Sequence, residues 1–462
     1  MKKLNCIAIC LVVVLAASGC RAPQIEKVSK NISQVVKTTL SGDGSPAISK
    51  TETVISLPDI LSSSDASVDV TKGFEKAIKS AVSSDPAVLA AKKVYEQRLA
   101  AVGITKSQMD FQVSGTAYGG VEDLTDETVG LAVVLNANKL LFDGGQLRSQ
   151  ITANELAAKA ALNNYHVTAD EKSLEAAMAW VELERYQGLS DLIDSRLVVL
   201  DPLITQLEQV AKAGIGDVSQ VAAAQRTVSL IRVTQTDVEE RLEQAKVNFL
   251  AIFGSLPAGT DYAQAKISNA VPANITDAVI EDSPALKAQY AAYQSAFSGL
   301  KSLEMRDSYT VFFESKLQRP IGGSTVDSDE SFGLVASKTL FDGRKLASEV
   351  DQARANVETQ LELLRSTYRQ GRRLVSNAQQ TISSMDKAVV LSKISADNTR
   401  EEISYLRKQL VIGQSTLDSV LSAEARLYDA ESKEINFLAE RRRAELTILS
   451  ALGVLAKLFG IS

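Results

Sequence analysis

The chain has 462 residues, with 50 Lys and Arg against 56 Asp and Glu and a net charge of −6. That balance excludes the clustered basic footprint of a nucleic-acid-binding protein. Aromatics make up 5% and prolines number 9, which suits long helices built from good helix formers with few breakers.

The N-terminus reads Lys2-Lys3, an apolar run from about Ile7 to Ala17, then Ser18-Gly19-Cys20. A basic start, a short apolar stretch and small residues before a cut site predict a signal peptide over residues 1–19. The run is too short to span a membrane as a helix. Leu15-Ala16-Ala17-Ser18-Gly19-Cys20 resembles a bacterial lipobox, with Ala17 where Leu is commoner. The resemblance implies lipidation of Cys20, with an ordinary cleaved leader as the alternative, and Arg21 after the Cys implies sorting to the outer membrane. Cleavage would remove Lys2 and Lys3 and no acid, moving the net charge from −6 to −8. It would also remove Cys6 and Cys10, so Cys20 alone would remain and no disulfide framework or cysteine metal site is possible. The sole histidine, His166, falls in a helical stretch, and neither a metal nor another cofactor is expected.

Residues 20–66 are rich in Ser, Thr and Lys, with Gly42, Gly44, Pro46 and Pro58, and hold no steady period. They read as a lipidated extended segment, a tether or a surface strap. A first repeat is expected over 67–254. It opens with a helix at about 71–106, interrupted near Asp85-Pro86 because proline restricts its predecessor and removes a helical bond. Strands follow at about 110–119 and 128–141, where Phe111, Val113, Gly115 and Ala117, then Val129, Leu131, Val133, Leu135 and Ala137, alternate with other residues. Next come a long helix at about 144–213 and a return helix at about 217–254. An inter-repeat link spans 255–284, with Pro257, Gly259 and Pro272.

The second repeat, 285–457, has strands at about 308–317 and 330–340, a long helix at about 343–412 and a return helix at about 416–457, before a short tail, 458–462. Its strands set Tyr309, Val311, Phe313 and Leu317 against Thr310, Glu314 and Lys316, and its second strand offers Phe332, Leu334 and Ala336. Strands of this length, apolar on one face, fit a membrane β-barrel; an ordinary half-buried hairpin fits the alternation as well. The long helix carries a heptad-like seam, Leu346, Val350, Ala353, Val357, Leu361, Leu364 and Tyr368. Pro202 lies only in the first copy and predicts a kink or break there. Arg441-Arg442-Arg443 is the densest basic run and reads as a solvated helix face, with a partner or lipid contact as the second reading.

Duplication organises all of this. Leu141-Phe142-Asp143-Gly144 recurs 199 residues later as Leu340-Phe341-Asp342-Gly343, and Gly214 and Gly254 recur at the same distance as Gly413 and Gly453. Pro86 and Pro284, like Phe111 and Tyr309, lie 198 apart, so one residue is added in or beside the hairpin tip. At each Leu-Phe-Asp-Gly the period changes from two to helical. Phe142 and Phe341 are then placed to anchor at a membrane–water boundary, Asp143 and Asp342 to cap the helices, and Gly144 and Gly343 to allow the turn.

The duplicated junctions, with Gly413-Gln414-Ser415-Thr416-Leu417-Asp418-Ser419-Val420-Leu421-Ser422-Ala423 and Leu427-Tyr428-Asp429-Ala430, resemble the TolC-type outer-membrane factors over roughly residues 68–457. The resemblance implies a mainly α fold with a small membrane β part. Four strands per chain would enter a trimeric 12-stranded barrel continued by a long periplasmic helical tunnel. It implies a passive exit duct of type I secretion or multidrug efflux, working with a periplasmic adaptor and an inner-membrane ABC or proton-driven transporter. The adaptor would contact Gly214, Ile215, Gly216, Asp217, Gly413, Gln414, Ser415 and Thr416. The aspartate rings of some members align with Ser419 and Ser422, so a pore constriction would rest on Asp418, Ser419 and Ser422, and a charge gate on Asp418 or Glu424. The rival for Asp418 is a helix cap or a solvated side chain. No phosphate loop, metal cluster or Ser/His/Asp arrangement suggests an enzyme. The alternative to a duct is a surface-anchored coiled-coil lipoprotein with a structural role.

Overall fold

Two 67-residue helices dominate the chain, α3 (Gln146–Lys212) and α7 (Lys345–Val411), each about 100 Å long at about 1.5 Å per residue. They are seen in a computed structural model that describes Leu57, Val68 and residues 70–121, 129–214, 218–257, 267, 270–272, 274–321 and 327–461. The leader, Cys20, the segment 20–66 apart from Leu57, both hairpin tips and Ile215, Gly216 and Asp217 lie outside the described residues.

Each repeat builds the same series. The first has a 3₁₀ turn (Val70–Lys72), α1 (Phe74–Ser84), α2 (Pro86–Ser107), β1 (Gln112–Val121), β2 (Val129–Phe142), α3 and α4 (Val218–Phe253). The second has α5 (Asp277–Glu281), α6 (Pro284–Met305), β3 (Thr310–Ile321), β4 (Asp329–Ser337), α7, α8 (Leu417–Ala451) and α9 (Leu455–Leu458). The helix break falls at Asp85, whose Oδ1 accepts from the Ala87 and Val88 amides at 2.8 and 3.3 Å, with Pro86 at the first helical position. Pro cannot donate and its φ suits that place, so the break doubles as a helix start. Ser283 and Pro284 repeat the arrangement, Ser283 Oγ accepting from Leu286 at 3.5 Å.

Two expectations need correction. Pro202 does not break α3; it sits inside the helix, and the Val198 carbonyl that loses its N–H belongs to a residue 72% exposed, where water can replace the bond. Within the link 255–284, α5 forms and Ile267 and Ile280 are buried. The last return helix ends at Ala451, not near 457: Gly453, at φ 71, lets the Val454 amide donate to Leu449 and its own amide to Ser450, closing a Schellman cap. The tail then forms α9 and buries Phe459 and Ile461.

The main core surrounds Trp180 of α3. Phe74, Phe249 and Phe253 meet its ring edge-on at centroid distances of 5.4, 5.2 and 5.7 Å, and Phe249 and Phe253 stack at 4.3 Å. The two long helices are not buried alike. α3 packs on α2, α4, α6 and α8, whereas α7 packs mainly on α6 and α8. Its seam from Leu346 to Tyr368 is accordingly only half-buried, while Leu147 and Ile151, at matching places on α3, are buried.

Candidate functional site

The strands form one antiparallel sheet in the order β1-β2-β3-β4. Register decides which side chains share a face. Val113 lies opposite Ala137, Ala137 opposite Ser315, and Phe313 opposite Leu334, so the apolar residues of four strands fall on one side. Val113, Leu135, Phe332 and Leu334 are all exposed there. The other face carries Thr310, Glu314 and Lys316, with Ala132, Val134 and Gln318 buried. An exposed apolar face of this extent is unusual unless lipid or protein covers it. Gln112 pairs with Asn138 and Thr310 with Ser337, so the first strands are offset by 198 and the second by 199. The added residue therefore lies between the strands of the second hairpin.

At the helix end of the sheet, Lys139 stands 4.8 Å over the Phe111 ring and Lys338 stands 5.5 Å over Tyr309, a repeat-related pair of cation–π contacts. Phe142 and Phe341 are exposed, the latter at 87%. Both aspartates of the junction cap helices: Asp143 accepts from Gly145 at 2.9 Å and Leu147 at 2.5 Å, and Asp342 from Leu346 at 2.7 Å. Gly144 and Gly343 have φ 68 and 67. At Gly144 a Cβ would meet Ser308 Oγ at 2.4 Å, so the site needs glycine for space as well as for its backbone.

At the far end of the long helices, Gly214 and Gly413 are exposed at φ 66 and 72. The Gln414 amide donates to Gln409 at 2.8 Å and the Gly413 amide to Leu410 at 3.2 Å, closing α7 as a Schellman turn. Ser415 is half-buried behind this turn. Thr416 then caps α8, its Oγ1 accepting from the Ser419 amide at 3.2 Å. Asp418, Ser419 and Ser422 are half-buried in the first turns of α8. Thr416, not Asp418, supplies the side-chain cap. Glu424 cannot line a pore in this arrangement: it is 3% exposed, 2.7 Å from Arg407 and 3.5 Å from Arg196.

That carboxylate belongs to a node joining three helices. Arg196 of α3 also pairs with Glu431, which Arg400 of α7 meets at 2.6 Å. The Glu431 hydrogen bond holds the Arg400 guanidinium above its ordinary pKa. The signal was present in sequence, since Arg400 and Arg407, like Glu424 and Glu431, are seven apart and face one another on antiparallel helices. The arginine run is paired rather than solvated. Arg441 meets Asp386 at 2.6 Å, Arg442 meets Glu184 at 2.7 Å and Arg443 meets Glu182 at 2.9 Å. Asp170, buried in α3, accepts from the Ala456 amide at 2.7 Å, and burial pushes its carboxyl up to about 6. Nearby His166 is lowered, chiefly by burial and then by Lys457. No metal-binding cluster occurs among the described residues.

Residues 277–454 match the family model described as Outer membrane efflux protein. That match lies in the second repeat, and the chain is similar to the outer-membrane efflux factors. Among curated proteins it is 21% identical over 341 residues to the outer membrane efflux protein BepC of Brucella suis biovar 1, covering 70% of this chain and 72% of BepC. A crystal structure of CusC superposes with a TM-score of 0.72 at 15% identity, covering 84% of this chain and 92% of that one. The CmeC outer membrane channel of Campylobacter jejuni gives 0.71 at 13%, covering 84% and 88%. The open state of the MtrE outer membrane channel of Neisseria gonorrhoeae gives 0.69 at 18%, covering 84% and 90%. The fold is that of these outer-membrane channels, a helical body with a small antiparallel sheet, and none of these relatives is an enzyme.

Proposed function

We propose that the chain is a passive trimeric export channel of the outer membrane, anchored at Cys20 and extending into the periplasm. It would carry substrate from an inner-membrane ABC or proton-driven transporter and a periplasmic adaptor, in type I secretion or multidrug efflux. One observation carries this reading: a four-stranded sheet with one largely apolar face and, among the described residues, no neighbour beyond β1 or β4. Four strands cannot close a barrel, which takes about eight, and three copies supply twelve. A lone sheet with such edges is a template for further pairing.

The repeat supports a particular register. Within the chain β2 pairs with β3, and the repeat-equivalent pairing joins β4 to β1 of a second copy. Ala137 opposite Ser315 becomes Ala336 opposite Ala117 of the partner subunit. β4 stops at Ser337, although β2 runs to Phe142, the counterpart of Phe341. A missing neighbour leaves a strand short in this way.

The exposed apolar side chains then face lipid, with Phe111, Tyr309, Phe142 and Phe341 at its inner boundary. The adaptor would meet the turns at 214–217 and 413–416, and Asp418, Ser419 and Ser422 would form the narrowest ring. Purified protein should run as a heat-labile trimer and conduct ions in planar bilayers. A monomer without conductance would leave the structural lipoprotein as the better reading. Deleting the gene and comparing secreted proteins with toxin sensitivity assigns the cargo.

A further inference from the structure

Among the described residues, the apolar face of the sheet and its helix-end edge carry four charges: Lys139, Arg319, Glu330 and Lys338. Toward the hairpin tips Arg319 and Glu330 neutralise one another as an ion pair. Toward the long helices both charges are positive. Lys139 lies opposite Phe313 in the ladder and over the Phe111 ring, which meets the Phe313 ring edge-on at 6.3 Å. Lys338 lies over Tyr309 but already has a carboxylate, that of Asp307, at 3.6 Å. Lys139 forms no ion pair with any described residue, Asp110 beside Phe111 included.

A ring face satisfies one side of an ammonium and leaves its other N–H donors open to an oxygen. Val113 and Leu135, 63% and 44% exposed, continue the same face from Lys139 toward the tips. An anion on Lys139 therefore has apolar surface on one side and the helix end on the other, which is the shape of an amphiphile rather than of a free ion. We propose that Phe111, Phe313 and Lys139 seat an anionic phospholipid of the periplasm-facing leaflet, its phosphate on the Lys139 ammonium and an acyl chain along Val113 and Leu135. The proposal rests on the membrane-barrel reading, under which a trimer carries three such seats. Lys338 supplies a weaker, repeat-related one, because Asp307 already shares its charge.

Fluorescence quenching by lipid tests the seat. Full-length Val113→Trp protein sets an indole beside it, while the native Trp180 is buried in the helical core and serves as the internal reference. The protein is reconstituted in phosphatidylcholine vesicles in which a minor share of the lipid is either brominated phosphatidylglycerol or brominated phosphatidylcholine. Phosphatidylglycerol should quench the new indole about fivefold more effectively, the preference that one lysine near an anionic headgroup confers. In the same background Lys139→Gln should bring the two lipids level, Lys139→Arg should keep the preference, and Lys338→Gln should leave it standing. Equal quenching by the two lipids with Lys139 in place, or a preference that survives Lys139→Gln, overturns the seat. Quenching by neither lipid puts this face outside the bilayer and counts against the barrel itself.

Discussion

Replacing Asp170 by Asn should stabilise the chain more at pH 8 than at pH 5, and hardly at all below pH 4. The carboxyl is buried between α3 and the start of α9, where it accepts from the Ala456 amide at 2.7 Å. Burial raises it from 3.8 to about 6; the amides of Ala456 and Leu455 and then Lys457 oppose that rise, and Glu171 adds slightly to it. For a carboxyl raised on folding, the stabilising contribution is fully present below 3.8 and is lost as pH rises through about 6. The span of about two pH units corresponds to roughly 3 kcal/mol. That span already includes the amide bonds to the ionised carboxylate, and Asn keeps an acceptor oxygen for Ala456, so the gain at pH 8 approaches roughly 3 kcal/mol. Amide exchange of the peptide around α9, compared between the two proteins at each pH, reads it directly. Equal protection ratios at pH 5 and 8, or weaker protection of the Asn variant at pH 8, would refute the reasoning.

Other substitutions separate local strain from assembly. Gly453→Ala combines φ 71 with a Cβ 1.9 Å from Pro284 Cδ and should cost about 2–4 kcal/mol, seen as a lower thermal midpoint. Gly144→Ala should be similarly harmful through Ser308, whereas Gly343→Ala meets nothing within 4 Å in the single chain. In unassembled protein it should cost only the left-handed backbone strain, about 1–2 kcal/mol. Trp180→Ala empties the centre of the aromatic core and should cost about 3–5 kcal/mol, measured by urea titration of the helical signal.

The duplication was legible because glycines with positive φ and capping aspartates cannot drift without cost. Gly144, Gly343, Asp143 and Asp342 therefore kept their spacing and marked the strand-to-helix change in both copies. Strand faces were legible too, since alternation is a local signal. What escaped was set by long-range packing. Asp170 bonds an amide 286 positions away, and nothing near either residue announces it. The arginine run looked solvated because its carboxylate partners lie on α3 and α7, far off in sequence. Pro202 illustrates the opposite case: the break allowed by a local rule is absent where Leu200 and Leu203 pack with residues of α4 and α8.

The central claim is that β4 of one copy continues into β1 of the next. Full-length Ala117→Cys/Ala336→Cys protein, oxidised in membranes and run on a non-reducing gel, tests it most directly. The account predicts a covalent trimer that reductant dissolves, with no such product when Cys replaces Val335 instead of Ala336. Only monomer in both samples, or crosslinking indifferent to that one-residue change, would contradict it.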